Sequence, residues 1–346
     1  MAMPDQTPTI RKRIKLALQG GGSHGAFTWG VLDRLLQDPR LEVEAIVGTS
    51  AGAMNAAVLA GGLAAGGPAA ARRRLAEFWG RVSDMARLSP VQPSPLDRLA
   101  GPAGSMSFSP GWMVADVMLK LFSPYQINPT NENPLRDALE ACVDFVGLRA
   151  AAAPAVFVCA TNVLNGRLRV FDRGEMSAAA VMASACLPQL FQAVEIDGQH
   201  YWDGGFSGNP PIFPLIYMGG SADVVIVQLN PINIPEVPRD MRGIMDRINM
   251  LAFNSSLMRE MRMINFVTEL IDRGDLDGSR HMRMHIHTID AEAELAALDA
   301  SSKLNADEVF LRQLFDLGTA RAEAFLAASF DAIGVRSSAD IVARFC

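Results

Sequence analysis

Apolar side chains first gather at Ile14-Lys15-Leu16-Ala17-Leu18-Gln19, a short run that predicts a buried strand ending in a glycine turn. From Ala26 to Gln37 the period changes. Phe27, Val31, Leu32, Leu35 and Leu36 recur at helical spacing, and Asp38-Pro39 ends the helix they predict. Val43 to Val47 predicts a second strand, which passes through Gly48-Thr49-Ser50-Ala51-Gly52 into helix-forming residues from Ala53. Strand, helix, strand, helix is the order of an α/β protein whose parallel sheet carries helices on its faces.

Between Gly66 and Asn133 the periodicity loosens, and seven prolines from Pro90 to Pro129 separate short helical pieces. We read this stretch, about 66–133, as an insertion. Within it, Arg72 to Leu88 places Leu75, Phe78, Trp79, Val82 and Met85 on one helical face, while Trp112 to Phe122 is apolar nearly all round. Such pieces can cover an apolar pocket as a lid or pack on the core, and packing is the commoner outcome. Strand-like runs return at Ala155 to Ala160, Arg167 to Phe171 and Val224 to Leu229, with a further candidate at Met282 to Ile289. After Arg239 the chain reads as mainly helical. The expected organisation is a disordered tail over 1–12, a catalytic α/β domain over 13–230, and a helical region over 231–346 packed on the same domain. Methionines 241, 245, 250, 258, 261 and 263, interspersed with Ile, Leu and Phe, suit a helix packed on a sheet or a pocket for varied acyl chains.

Composition removes several functions. With 346 residues, 49% hydrophobic, the chain can bury a large core, and a net charge of −6 gives no clustered basic face for nucleic acid. The basic residues Arg11, Lys12, Arg13 and Lys15 precede too short an apolar stretch for a secretory signal. Cys142, Cys159, Cys186 and Cys346 are widely spaced, which points to reduced thiols in a cytoplasmic protein rather than a disulfide framework or zinc site. The uncharged segment Ala45 to Pro68 is long enough to span a bilayer, but its glycines and polar residues read better as a buried strand turning into a buried helix.

Two motifs carry chemistry. Gly20-Gly21-Gly22-Ser23-His24-Gly25 fits G-x-G-x-x-G between a strand and a helix, so its amides and the helix dipole favour negative charge. That charge is either a dinucleotide pyrophosphate, held through Gly20, Gly22 and Gly25, or the oxyanion of an attacked carbonyl. A dinucleotide also needs an acid closing the second strand, yet Glu42 and Glu44 precede it. Gly48-Thr49-Ser50-Ala51-Gly52 fits the G-x-S-x-G elbow, which exposes a serine on a tight strand-to-helix turn at a helix N-terminus. A nucleophilic Ser50 needs a base, and none of the five histidines stands where a triad member should. His285 and His287 share one face of a candidate strand without an evident metal set.

Taken in order, the loop at 20–25, the elbow at 48–52 and Asp203-Gly204-Gly205 resemble the signature set of the patatin-like phospholipase family, over roughly Ile14 to Asn209. Ala183-Ser184-Ala185-Cys186-Leu187-Pro188 is similar to the family's segment ahead of the aspartate. The resemblance implies a three-layer α/β/α fold with a mostly parallel central sheet. It further implies Ser50 as nucleophile, Asp203 as a base acting without histidine, Gly20, Gly21, Gly22 and Gly25 as the oxyanion hole, Gly48 and Gly52 shaping the elbow, and Gly204 and Gly205 supporting the aspartate. The implied activity is lipid acyl ester hydrolysis needing no metal or cofactor, with a lipid substrate, possible peripheral contact with lipid surfaces, and no partner protein inferable. The same dyad could cleave a polyester, triglyceride or thioester. A dinucleotide-dependent oxidoreductase and a non-catalytic lipid-binding protein are the readings from other classes. Relatives commonly carry Arg or Lys at the place of His24, and a neutral imidazole holds an anion less firmly.

Overall fold

The computed structural model describes residues 11–87, 89–100, 102–151 and 154–346. The expected tail lies outside the described residues except for Arg11 and Lys12, and Lys12 already opens the first strand. The described residues form one sheet from β1 (Lys12–Leu18), β2 (Leu41–Gly48), β3 (Ala155–Asn162), β4 (Leu168–Phe171), β5 (Val194–Ile196), β6 (Gln199–Asp203), β7 (Asp223–Val227) and β8 (His285–Ile289). The order is β5-β6-β3-β2-β1-β7-β8, with β4 pairing alongside β3. The five strands β3, β2, β1, β7 and β8 run parallel, and β4, β5 and β6 add antiparallel pairings at the β3 side.

Alternation along β1 shows why the sheet is buried on both faces. Ile14, Leu16 and Leu18 pack into one apolar layer with the first helices, and Ala17 joins the other. Lys15, fully buried on the second face, donates to the carbonyls of Leu215 and Gly219 at the end of the helix Phe213–Tyr217, which satisfies an otherwise costly charge. The sheet is therefore the middle of a three-layer α/β/α sandwich, as the resemblance implied.

Helix α1 (Gly25–Leu35) and α2 (Ala51–Arg87) cover the first face together with the helix Glu308–Ser329. The second face takes the middle of the helix Met241–Asp272, through Leu257, Met261 and Ile264, and the terminal Ile341 and Phe345. The C-terminal third thus contributes to both outer layers. Gly30 of α1 and Gly318 let two helices approach closely: a Cβ on Gly30 would stand 2.0 Å from the Phe315 carbonyl oxygen, and one on Gly318 2.0 Å from that of Phe27.

Two expectations change. The helix expected from Arg72 to Leu88 is the second half of α2, with Leu88 outside the described residues. Gly66 and Gly67 leave helical geometry for two residues, Pro68 restarts the helix at a first-turn position, and Leu75, Phe78 and Trp79 return to the core. Of the stretch 66–133, the part up to Arg87 thus continues α2, and the short helices Pro95–Ala100, Pro110–Leu121 and Pro124–Ile127 follow it. The methionine-rich helix is core only in its middle, since Met241, Met245, Ile248, Leu251 and Met263 are exposed. Ala45 to Pro68 resolves into β2 and α2, and among the described residues no helix is long and apolar enough to cross a membrane.

Candidate active site

The carboxyl ends of β1 and β2 place the glycine loop beside the serine elbow, because the two strands are parallel neighbours with Leu18 opposite Gly48. Ser50 takes φ 56°, the left-handed region that a side chain rarely occupies, and α2 begins at the next residue. The elbow's glycines allow this. A Cβ on Gly48 would lie 2.3 Å from the Gly52 carbonyl oxygen, and one on Gly52 2.2 Å from that of Leu18. Thr49 anchors the turn by donating to the Gly208 carbonyl at 2.8 Å, and the Ser50 amide donates to Ser184 Oγ at 3.0 Å.

Asp203 closes β6, a short strand that pairs antiparallel with β3 and carries the aspartate to the elbow from 153 residues away. Its backbone is fixed by bonds to the Cys186 carbonyl and the Thr161 hydroxyl, each 2.8 Å. The side chain is fully buried. Oδ1 accepts from the Gly205 amide at 2.7 Å, whereas Oδ2 has no partner of regular hydrogen-bonding geometry among the described residues. Burial pushes the carboxyl up to about 6, and the adjacent Ser50 hydroxyl and the Gly205 amide work against that rise. The Ser50 hydroxyl thus lies near enough to favour the ionised carboxylate without completing a regular bond, a looseness common in unliganded sites. Gly204 and Gly205 are sterically required: a Cβ on the first would meet the Cys159 carbonyl oxygen at 2.2 Å, and one on the second the Phe253 ring at 2.2 Å. Burial pushes the Cys159 and Cys186 thiols up to about 12, the same low-polarity surroundings felt by the acid.

The glycine loop divides into two parts. Gly20 is packed on the elbow, since a Cβ there would stand 2.6 Å from Ser50 Cβ, and its amide donates to Asn209 Oδ1 at 2.7 Å. The Gly25 amide bonds back to the carbonyls of Gly22 and Ser23. The Gly20 and Gly25 amides are thus engaged within the protein, and both glycines also permit close approach of neighbouring chain. The amides of Gly21 and Gly22 donate to no acceptor among the described residues.

His24 is buried and turned toward the C-terminal region, where Nε2 meets Ser302 Oγ at 2.7 Å. The Ser302 hydroxyl already donates to the Asp299 carbonyl, so the imidazole Nε2 carries the proton and donates. Burial, with Lys303 nearby, pushes His24 down to about 3 and keeps it neutral. His285 opens β8 and His287 stands at its middle, beside Asp223 at the amino end of the neighbouring β7 and away from the elbow at the carboxyl end of β2. Asp223, an alternative to Asp203 as the serine's acid on sequence alone, accepts from His287 Nε2 at 3.0 Å and from the Gly334 amide at 2.8 Å, which reads as an anchor for the chain after the helix Glu308–Ser329. Among the described residues no group of three or more His, Cys, Asp or Glu is arranged to hold a metal ion. The acid a dinucleotide would need is absent from the loop end of β2: Glu44 sits at the strand's other half, paired to Arg13 and the Ser221 amide.

Four residues around the site escaped the sequence reading in their roles: Ser184, Asn209, Asn230 and Lys303. Each acts through a hydrogen bond to backbone of the elbow or loop, or to a side chain that does so. Asn209 and Asn230 each precede a proline, Asn209-Pro210 and Asn230-Pro231, and that pairing was the available signal.

A family model described as Patatin-like phospholipase matches residues 16–216. Among curated proteins no sequence matches. Among solved structures, VipD from Legionella pneumophila is 16% identical with a TM-score of 0.37, over 89% of this chain and 67% of that one. ExoU from Pseudomonas aeruginosa, solved in complex with SpcU, is 16% identical with a TM-score of 0.35, over 92% of this chain and 54% of the other. The chain therefore spans about half the length of the ExoU structure and two thirds of VipD.

Proposed function

Because the chain belongs to the patatin-like phospholipase family, a family of lipid hydrolases, we propose that it cleaves carboxylic esters of lipids with Ser50 as nucleophile and Asp203 as its base. One observation carries this reading: a serine held at a left-handed elbow sits beside a buried carboxyl whose second oxygen has no other partner. The ionised Asp203 takes the Ser50 proton as Oγ bonds to the ester carbonyl carbon, and the carbonyl oxygen becomes an oxyanion facing the free amides of Gly21 and Gly22. Collapse expels the alcohol, which leaves with the proton from Asp203, and an acyl group remains on Ser50. Water then attacks the acyl carbon while Asp203 takes its proton, and that proton returns to Ser50 Oγ as the fatty acid departs.

Two features support a lipid as the substrate. A largely apolar cavity of about 590 Å³, lined by Val82, Met85, Trp112, Met118, Leu135 and Phe191 among others and by neither Ser50 nor Asp203, falls within the usual size range of ligand pockets. Met113, Val114, Val117 and Leu121 of the helix Pro110–Leu121 are exposed, as are Met241, Ile244, Met245 and Ile248, and a 3.0 Å bond from Arg242 to Ser107 links the second segment to the residues just ahead of that helix. Apolar side chains gathered in this way favour peripheral contact with a lipid surface. Reaction with a fluorophosphonate tests the nucleophile: labelling should fall on Ser50 and vanish in Ser50→Ala together with ester hydrolysis. Hydrolysis undiminished in Ser50→Ala would remove the mechanism.

A further inference from the structure

Both backbone groups of Gly20 are held by asparagine side chains. Its N–H donates to Asn209 Oδ1 at 2.7 Å, and its carbonyl accepts from Asn230 Nδ2 at 2.8 Å. The peptide joining Gly20 to Gly21 is trans, so the Gly20 carbonyl and the Gly21 N–H share one plane and point in opposite directions. Whatever fixes the carbonyl therefore fixes the aim of the Gly21 N–H, one of the two loop amides with no protein acceptor.

Asn230 can hold that carbonyl only with its NH2 group toward it, because the flipped amide would set oxygen against oxygen. Lys303 enforces the orientation. Its Nζ donates to Asn230 Oδ1 at 3.0 Å, with burial pushing the lysine down from its ordinary value and the nearby Asp246 carboxylate acting against that; on the other side Gln19 Oε1, already the acceptor for the Leu229 and Asn230 amides, accepts from Asn230 Nδ2 at 3.3 Å. Lys303 also closes the loop sterically, with its carbonyl oxygen 2.3 Å from where a Cβ on Gly22 would stand. A lysine pressed against the loop and hydrogen-bonded to a neutral amide, with Asp246 as a nearby opposite charge beyond ion-pair distance, is costly in folding terms. Orientation of that amide is what it supplies.

We infer that Asn230 and Lys303 are positioning residues for acyl transfer: Lys303 sets the Asn230 amide, Asn230 sets the Gly20-Gly21 peptide, and that peptide aims an N–H at the oxyanion. The inference rests on the hydrolase reading and assigns it a second tier of residues, from the end of β7 and from the C-terminal region beyond the matched family segment.

The test compares full-length wild type, Asn230→Asp, Lys303→Met and Ser50→Ala on a water-soluble short-chain aryl ester, with kcat, KM and Tm measured for each. A trifluoromethyl ketone, whose adduct with Ser50 carries an oxyanion, supplies an inhibition constant. Asn230→Asp keeps the size of the side chain and gives Lys303 a carboxylate partner, but it cannot donate to Gly20. Its kcat should fall about 10- to 100-fold with KM within about two-fold of wild type, and the ketone should bind weaker by the same factor as kcat falls. Lys303→Met should move kcat and ketone affinity in the same direction by a smaller factor. Wild-type kcat in both variants, with Ser50→Ala inactive, overturns the positioning role and leaves the hydrolase standing. A raised KM with unchanged ketone affinity overturns it as well, because that is the mark of a merely structural role. Wild-type hydrolysis by Ser50→Ala overturns both.

Discussion

Replacing Asp203 by asparagine separates what the buried carboxyl does for catalysis from what it does to stability. Asparagine keeps the oxygen that accepts from the Gly205 amide and places an NH2 where Oδ2 lacks a regular partner, next to the Ser50 hydroxyl. It cannot take a proton, so the proposed base is lost and kcat should fall by about 100- to 10,000-fold. Stability should move the other way. The native carboxyl titrates at about 6 against an ordinary value of 3.8, so the folded state binds the proton more tightly than the unfolded chain does. Below the unfolded value both states are protonated and nothing is lost. As pH rises from about 4 through 6 the folded state loses about 3 kcal/mol, which it does not regain above that range. Asparagine removes this term, offset by up to about 1–3 kcal/mol if its NH2 finds no acceptor. Urea denaturation at pH 4 and pH 8 would therefore show a smaller stability loss across that interval in Asp203→Asn than in wild type, while hydrolysis collapses. Retention of more than about a tenth of the wild-type kcat, or an identical pH dependence of stability in the two proteins, would refute the assignment of this carboxyl as a buried base.

Other outcomes follow from the same contacts. The rate constant kcat/KM should rise with pH through a single ionisation near 6 and then level off, because only the ionised Asp203 accepts the serine proton, and rate profiles against a soluble ester check this. Gly20→Ala drives a methyl to 2.6 Å from Ser50 Cβ and 2.9 Å from the Thr49 carbonyl oxygen, so turnover and fluorophosphonate labelling should both drop more than about 100-fold. Gly318→Ala places a Cβ 2.0 Å from the Phe27 carbonyl oxygen, and urea denaturation should show a net loss of about 1–3 kcal/mol despite alanine's better helix propensity. Val114→Asp with Val117→Asp, both on the exposed face of the helix Pro110–Leu121, should weaken sedimentation with phospholipid vesicles and leave hydrolysis of a soluble ester unchanged.

The parts of this protein legible in the sequence are those whose information is local. β1, α1 and β2 are written in runs of one period each, and the elbow and glycine loop are compact motifs whose glycines answer to contacts with the neighbouring strand. β6 was illegible as a strand because Gln199–Asp203 carries polar and aromatic residues without a clear alternation, and its place depends on pairing with β3. The second half of α2 was read as a separate helix because two glycines and a proline usually end a helix. Here they bend the chain and let Phe78 and Trp79 return to the core, where Trp79 Nε1 donates to Asn55 Oδ1 at 3.0 Å in the first half.

Distance along the chain also explains which site residues a motif can carry. A nucleophile and its acid recur beside glycines because their own backbone must adopt a special course, and that requirement leaves a local trace. Asn209, Asn230 and Lys303 belong to no glycine-marked motif, and what makes them significant is the partner each reaches: the Gly20 amide, the Gly20 carbonyl, and the amide oxygen of Asn230. The loop's amides can point at one place only if the peptide planes between them are held, and glycine, which permits the loop, is the residue least able to hold its own conformation. A run of three glycines next to a nucleophile therefore calls for rigidity from outside the run. In this fold it comes from polar side chains converging from the ends of β6 and β7 and from the C-terminal region, which ties the outermost parts of the sequence to the geometry of the innermost site.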